Sequence, residues 1–168
     1  DQRQTVRPSE WLARFRDNLK RYEYIVNPGH ARTAELLIEF SELEVGVADA
    51  LCPEVDQDSQ LMRHFREASR CLAHLFYLSW KGGNHEIKHW LARLNVVIDE
   101  LSCTELPASV EVKSSEGYAF YGLYPETYLE AAIRFNQQVN PKRVVCLGIR
   151  GIGASLSAVV TAALEECG

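Results

Sequence analysis

Methionine occurs once in this chain of 168 residues, and its five cysteines (Cys52, Cys71, Cys103, Cys146 and Cys167) form no C-x-x-C pair. An odd, scattered set of thiols supplies neither a disulfide framework nor a zinc ribbon. It reads as the reduced, mostly core thiols of a cytoplasmic protein. Positive charge is also short, 18 Lys and Arg standing against 23 Asp and Glu for a net charge of −5. That excludes the basic face on which sequence-independent nucleic-acid binding depends. No apolar run approaches the roughly 18–20 residues of a membrane span, so no membrane partner is expected. No charged-then-apolar leader opens the chain either. The first residue is Asp1 rather than Met, which reads as a trimmed chain or a fragment.

What remains is an ordinary soluble composition, 46% hydrophobic and 24% charged, enough for one or two small domains with a real core. Helical periodicity runs through residues 9–104. Ser9 is placed to cap a first helix whose Trp11, Leu12, Phe15, Leu19 and Tyr22 share a side, and Asn27-Pro28-Gly29 stops it. A second helix, Ala31 to Leu51, carries Leu36, Leu37, Phe40, Leu43 and Val47 on one stripe. A third opens at Asp58 or Ser59 and ends at Trp80 before Lys81-Gly82-Gly83. Asn84 is placed to cap a fourth, with Ile87, Trp90, Leu91, Leu94, Val97 and Ile98 turned inward.

At Pro107 the period changes. Val110 to Lys113 alternates like a strand, and Tyr118 to Tyr124 continues in β-favouring residues, so a hairpin around Gly117 fits. Pro125-Glu126 starts a helix to about Gln138, and a strand at 143–148 leads into a helix at 153–166. The expected fold class is α+β and mostly helical. A helical bundle over 1–104 precedes a small, incomplete α/β unit over 105–168 with a strand–Gly loop–helix.

Three motifs bear on chemistry. His85-Glu86-Ile87-Lys88-His89 matches H-E-x-x-H, the zinc-hydrolase pattern. However, both histidines fall on the polar face of the fourth helix, and Lys88 would oppose a dication. Val96 to Thr104, with Asp99 and Glu100, superficially resembles a ribose-phosphate loop but continues the fourth helix in register and lacks glycine. The third motif is Arg143 to Leu156, a strand ending in Gly148-Ile149-Arg150-Gly151-Ile152-Gly153. As a dinucleotide fingerprint it lacks the third glycine, as a P-loop the Gly-Lys-Ser/Thr end, and as a nucleophile elbow the closing glycine. A plain tight turn is the bland alternative. A strand-to-helix glycine turn also aims N–H groups and a helix dipole at an anion.

Val144 to Leu164 resembles the first core strand, pyrophosphate loop and following helix of type I phosphoribosyltransferases. Glu116 to Glu126 is similar to the lead-in segment of bacterial phosphoribosyltransferase-like proteins with an extra N-terminal region. The resemblance implies that Gly148, Ile149, Arg150, Gly151, Ile152 and Gly153 face the pyrophosphate of phosphoribosyl pyrophosphate. It implies further donors from Ala154 and Ser155 at the helix start, and Tyr118, Tyr121 and Tyr124 beside the pocket. The family's acidic ribose-phosphate motif stands downstream of this loop. On that reading the chain is the N-terminal portion of a longer protein, not catalytic alone, and Mg²⁺ would act only in the complete protein. A homodimer or second chain completing the sheet is expected. The alternative is a helical interaction or scaffold module without enzymatic activity.

Overall fold

The computed structural model describes residues 3–24, 29–55, 57–83 and 86–167. Among them run β1 (Arg3–Val6), α1 (Pro8–Tyr24), α2 (His30–Leu51), α3 (Gln60–Lys81) and α4 (Ile87–Cys103). These are followed by β2 (Val110–Lys113), the single turn α5 (Glu116–Ala119), α6 (Pro125–Val139) and α7 (Ile152–Cys167). The chain is mostly helical, with one two-stranded antiparallel sheet.

The local signals explain most boundaries. Ser59 accepts the Met62 amide at 3.1 Å and so caps α3, which stops where Gly82 turns left-handed. Pro125 opens α6, and Asn140 closes it with φ 47. Ser9 is not a cap: α1 begins one residue earlier at Pro8, whose missing N–H costs nothing in a first helical turn. The expected stop at Asn27-Pro28 and the Asn84 cap lie outside the described residues.

The middle helix, α3, is buried on several sides and packs on α2, α4 and α7. Its burial follows from composition: Leu61, Phe65, Leu72 and Phe76 are joined by Ala68, Cys71, Leu75 and Leu78, so residues 71–76 are buried all round while Arg63, Arg66 and Arg70 keep a polar face on the first half. An aromatic joint ties in α1 and α2. Phe40 lies 5.3 Å from Phe15 and 5.6 Å from Phe65, and Trp11 stacks on Phe15 at 5.2 Å. Leu129, Ala132, Val159, Ala162 and Ala163 belong to the same core as the first four helices. The core therefore runs across the 104/105 boundary where the sequence changes character.

Two expectations for the second half are corrected. First, β2 does not form a hairpin with residues 118–124. It pairs antiparallel with β1, Arg3 opposite Lys113 and Val6 opposite Val110. The amides of Tyr118 and Ala119 bond back to the Ser115 carbonyl, which winds 116–119 into a turn of helix instead. Gly46 lets α2 approach β2: a Cβ there would lie 2.8 Å from the Glu111 carbonyl oxygen. Second, residues 143–149 belong to no strand, and none of the described strands lies beside them. They are not buried either, with Val145, Leu147 and Ile149 at 81%, 90% and 88% exposure. The strand–Gly loop–helix of the expected α/β unit is thus an extended segment, a glycine turn and α7, which starts at Ile152 rather than Gly153.

The thiols also differ from expectation. Only Cys52 and Cys71 are buried, Cys103 is exposed, and Cys146 and Cys167 are half-buried. Burial, helped by Glu67, pushes the Cys71 thiol up to about 12, leaving it an inert core group.

Candidate functional site

The turn from Gly148 to Ser155 joins the extended segment to α7. Gly148 lies against the carbonyl of Gly153, where a Cβ would come within 2.0 Å of the oxygen. Gly151 has φ 117, open in practice only to glycine, and its carbonyl takes the Ala154 amide at 3.1 Å.

Arg150 reaches away from the turn. Its Nη1 donates to Asp49 Oδ1 at 3.1 Å and to the Cys52 carbonyl at 2.8 Å. It thereby supplies a cation and a donor to the C-terminal end of α2. Asp49 Oδ2 faces Lys113 Nζ at 3.5 Å, so this carboxylate is held between two cations beside the start of α7. A cavity of about 300 Å³ opens here, with Arg3, Lys113, Arg150, Gly151 and Ile152 on its wall together with Glu42, Asp49 and Glu116. Ser115 donates its amide to Glu42 at 2.7 Å, and burial outweighs that bond and raises the Glu42 carboxyl.

Ser155 is fully buried. Its hydroxyl meets Tyr118 Oη at 2.8 Å and donates to the Ile152 carbonyl at 3.0 Å. Burial pushes the Tyr118 phenol up to about 12. This pair pins α5 to α7 and lies on the wall of neither the Asp49 cavity nor the apolar one beside it. Of the other residues expected at the site, Ile149 is largely exposed and, with Gly148, Ile152 and Gly153, borders an open, mostly apolar cavity against α6 and α7, while Gly153 and Ala154 sit half-buried at the helix start. Tyr121 and Tyr124 are exposed and line none of the cavities found.

For the zinc pattern, His85 lies outside the described residues, and Glu86 and His89 are exposed. Among the described residues no group of three His, Cys, Asp or Glu is arranged to hold a metal. Asp49 is already occupied, since each of its oxygens faces a cation of the chain. Asp99 and Glu100 are exposed on α4, Asp99 paired with Arg16 and Glu100 3.8 Å from His64 Nε2. They form no ribose grip.

Sequence reasoning missed three polar clusters, centred on the buried His74, the half-buried His30 and the buried Glu44. His74 is 2% exposed, has Glu166 on Nδ1 and Glu165 on Nε2, both at 2.8 Å, and stacks on Trp90 at 3.7 Å. It fastens the end of α7 to α3 and α4. His30 meets Ser79 Oγ at 2.8 Å through Nδ1 and Glu126 Oε1 at 2.9 Å through Nε2. That connectivity resembles a nucleophile–base–acid relay, yet Ser79 sits in a helix, bonds the Phe76 carbonyl and lines none of the cavities found. The third cluster is Glu44 with Ser69, whose hydroxyl donates to Glu44 Oε2 at 2.5 Å. Glu44 stands four residues after Phe40, on the apolar stripe of α2, so an acid out of place was the available signal.

Burial raises the Glu44 carboxyl from its ordinary value of 4.5, and the Ser69 bond and the Arg66 charge offset this only in part. An acid whose folded pKa is raised holds its proton more tightly when folded. Its stabilisation is full below pH 4.5 and is lost as pH rises through the folded value. Glu39 and Glu42 shift the same way, while the half-exposed Glu165 is lowered. Glu44→Gln is therefore expected to gain stability over the parent as pH rises from about 4.5 to neutrality. Urea melts across that range test this, and a difference independent of pH would contradict it.

Compared with family models, curated proteins and solved structures, the chain has no match. Function therefore has to be argued from the site alone.

Proposed function

We propose that the protein binds a phosphorylated small molecule at the start of α7, in the manner of a phosphoribosyltransferase-like pyrophosphate loop, with phosphoribosyl pyrophosphate as the first candidate. The observation that carries this is Asp49: the chain already holds one of its own anions between Arg150 and Lys113, next to Gly151 and Ile152. A phosphate oxygen entering the cavity would take the place of that carboxylate. It would gain guanidinium and ammonium donors together with the positive end of the α7 dipole. These residues bind and orient; transfer would need an acid pair for the ribose that is not assembled here.

Because Asp49 competes with the ligand, Asp49→Asn is expected to bind phosphoribosyl pyrophosphate about tenfold more tightly than the parent, the value of one charge-assisted contact. Titration calorimetry on both proteins, with inorganic pyrophosphate alongside, measures it. If neither protein binds either compound, the reading fails.

A second reading, an interaction module, is favoured by the exposed apolar side chains of Val145, Leu147 and Ile149. With their backbone outside any ladder, they offer an edge for a further strand from a second chain. Leu147→Glu is expected to lower concentration-dependent association in sedimentation experiments. An identical mass distribution for parent and variant at all concentrations would remove this reading.

A further inference from the structure

A second polar cavity, of about 320 Å³, lies among α2, α3 and α7. Glu44, Ser69, Ser157 and Thr161 stand on its wall with Arg66, Arg70 and Arg150. Glu44 is only 6% exposed, and while Oε2 takes the Ser69 hydroxyl, Oε1 has no hydrogen-bond partner among the described residues. Oε1 is not sealed in by protein, so it is open to whatever fills the cavity. Packing between α2 and α3 does not require the carboxylate, since a glutamine would keep the shape and the bond to Ser69 without the charge.

The hydroxyls around it share one polarity. Ser69 donates to Glu44, Ser157 to the Ala154 carbonyl at 2.9 Å, and Thr161 to the Ser157 carbonyl at 2.8 Å. Each has spent its proton, so what they turn to a ligand is lone pairs. The missing partner is a multiple donor with positive charge, and an ammonium group is that. The arginine side chains are far more open than Glu44, Arg66 at 55% and Arg70 at 40% exposure. Their acidic neighbours, Asp58 for Arg66 and Glu67 and Glu165 for Arg70, are not on the cavity wall. A guanidinium carries five N–H donors, so each arginine retains donors for an incoming anion. At about 30 Å³ per water, the cavity has room for a molecule of amino-acid size.

We infer that this cavity binds a small zwitterion, its ammonium group on Glu44 Oε1 at the floor and its anionic group on Arg66 and Arg70 at the mouth. The inference does not rest on phosphate binding at Asp49, although Arg150 stands on the walls of both cavities. Thermal melts and calorimetry with O-phosphoethanolamine and β-alanine test it, with ethanolamine and inorganic phosphate as the two half-ligands. At least one zwitterion is expected to bind more tightly than either half-ligand and to raise the melting temperature with concentration. Glu44→Gln should weaken it at least tenfold, and Thr161→Val several-fold as a check that leaves Glu44 in place. Failure of both zwitterions to exceed the half-ligands overturns the inference, as does undiminished binding by a folded Glu44→Gln and Thr161→Val.

Discussion

Phe40→Ala is expected to cost about 3–5 kcal/mol, the range for deleting a large buried ring. Phe40 is fully buried and makes the aromatic joint of three helices, with Phe15 and Trp11 of α1 on one side and Phe65 of α3 on the other. Its neighbours are rings on separate helices, so the hole can close only if whole helices shift, and little of the cavity term is recovered. For a chain of this length each kcal/mol lowers the melting temperature by roughly 2–4 °C, which makes the expected drop about 6–20 °C. Tyr121→Ala is the matched control, since that ring is 73% exposed and its loss should stay within about 0.5 kcal/mol. Guanidinium melts decide the matter. A Phe40→Ala loss below about 1 kcal/mol would show that the helices are joined elsewhere.

That joint was legible before any coordinates. Trp11 and Phe15 fall on one face by spacing alone, as do Leu36, Leu37, Phe40, Leu43 and Val47, and all of these are buried. The cap at Ser59 and the breaks at Gly82 and Pro125 were as plain, because each acts on the few residues around it, whereas Ser9 fell inside α1. The β1–β2 pairing was not legible. Arg3–Val6 meets a strand more than a hundred residues away, and four residues without apolar alternation carry no local mark of such a partner.

The extended segment at 143–149 shows the converse. Its β-branched run is a strand former, but a strand exists only when a neighbour takes its hydrogen bonds, and none of the described strands does. Arg150 fared similarly. A guanidinium beside a glycine turn was evident, whereas its capture by Asp49 and the end of α2 depends on a contact 101 residues distant. Local chemistry could propose an anion site there; only tertiary packing could reveal that the chain places its own anion in it.

Gly148→Ala should separate the turn from the rest of the fold. The new Cβ would lie 2.0 Å from the Gly153 oxygen and 2.6 Å from Ser157 Oγ. The serine can rotate, but the backbone carbonyl cannot yield without moving the first turn of α7. Gly151, at φ 117, cannot absorb the shift by taking a common conformation. The expected cost is about 3 kcal/mol, at the upper end for forced overpacking. The damage should concentrate at the turn: Arg150 would be drawn from Asp49 and the Cys52 carbonyl, and both polar cavities, which share Arg150 as a wall, would deform. Gly29→Ala is the control, as φ there is −59 and nothing lies within 4 Å of the added methyl. At a helix N-cap it should cost less than about 1 kcal/mol. Hydrogen exchange along α7, read with the melts, distinguishes the outcomes. Native protection of α7 in Gly148→Ala would mean that the contact between Gly148 and Gly153 does not hold the turn.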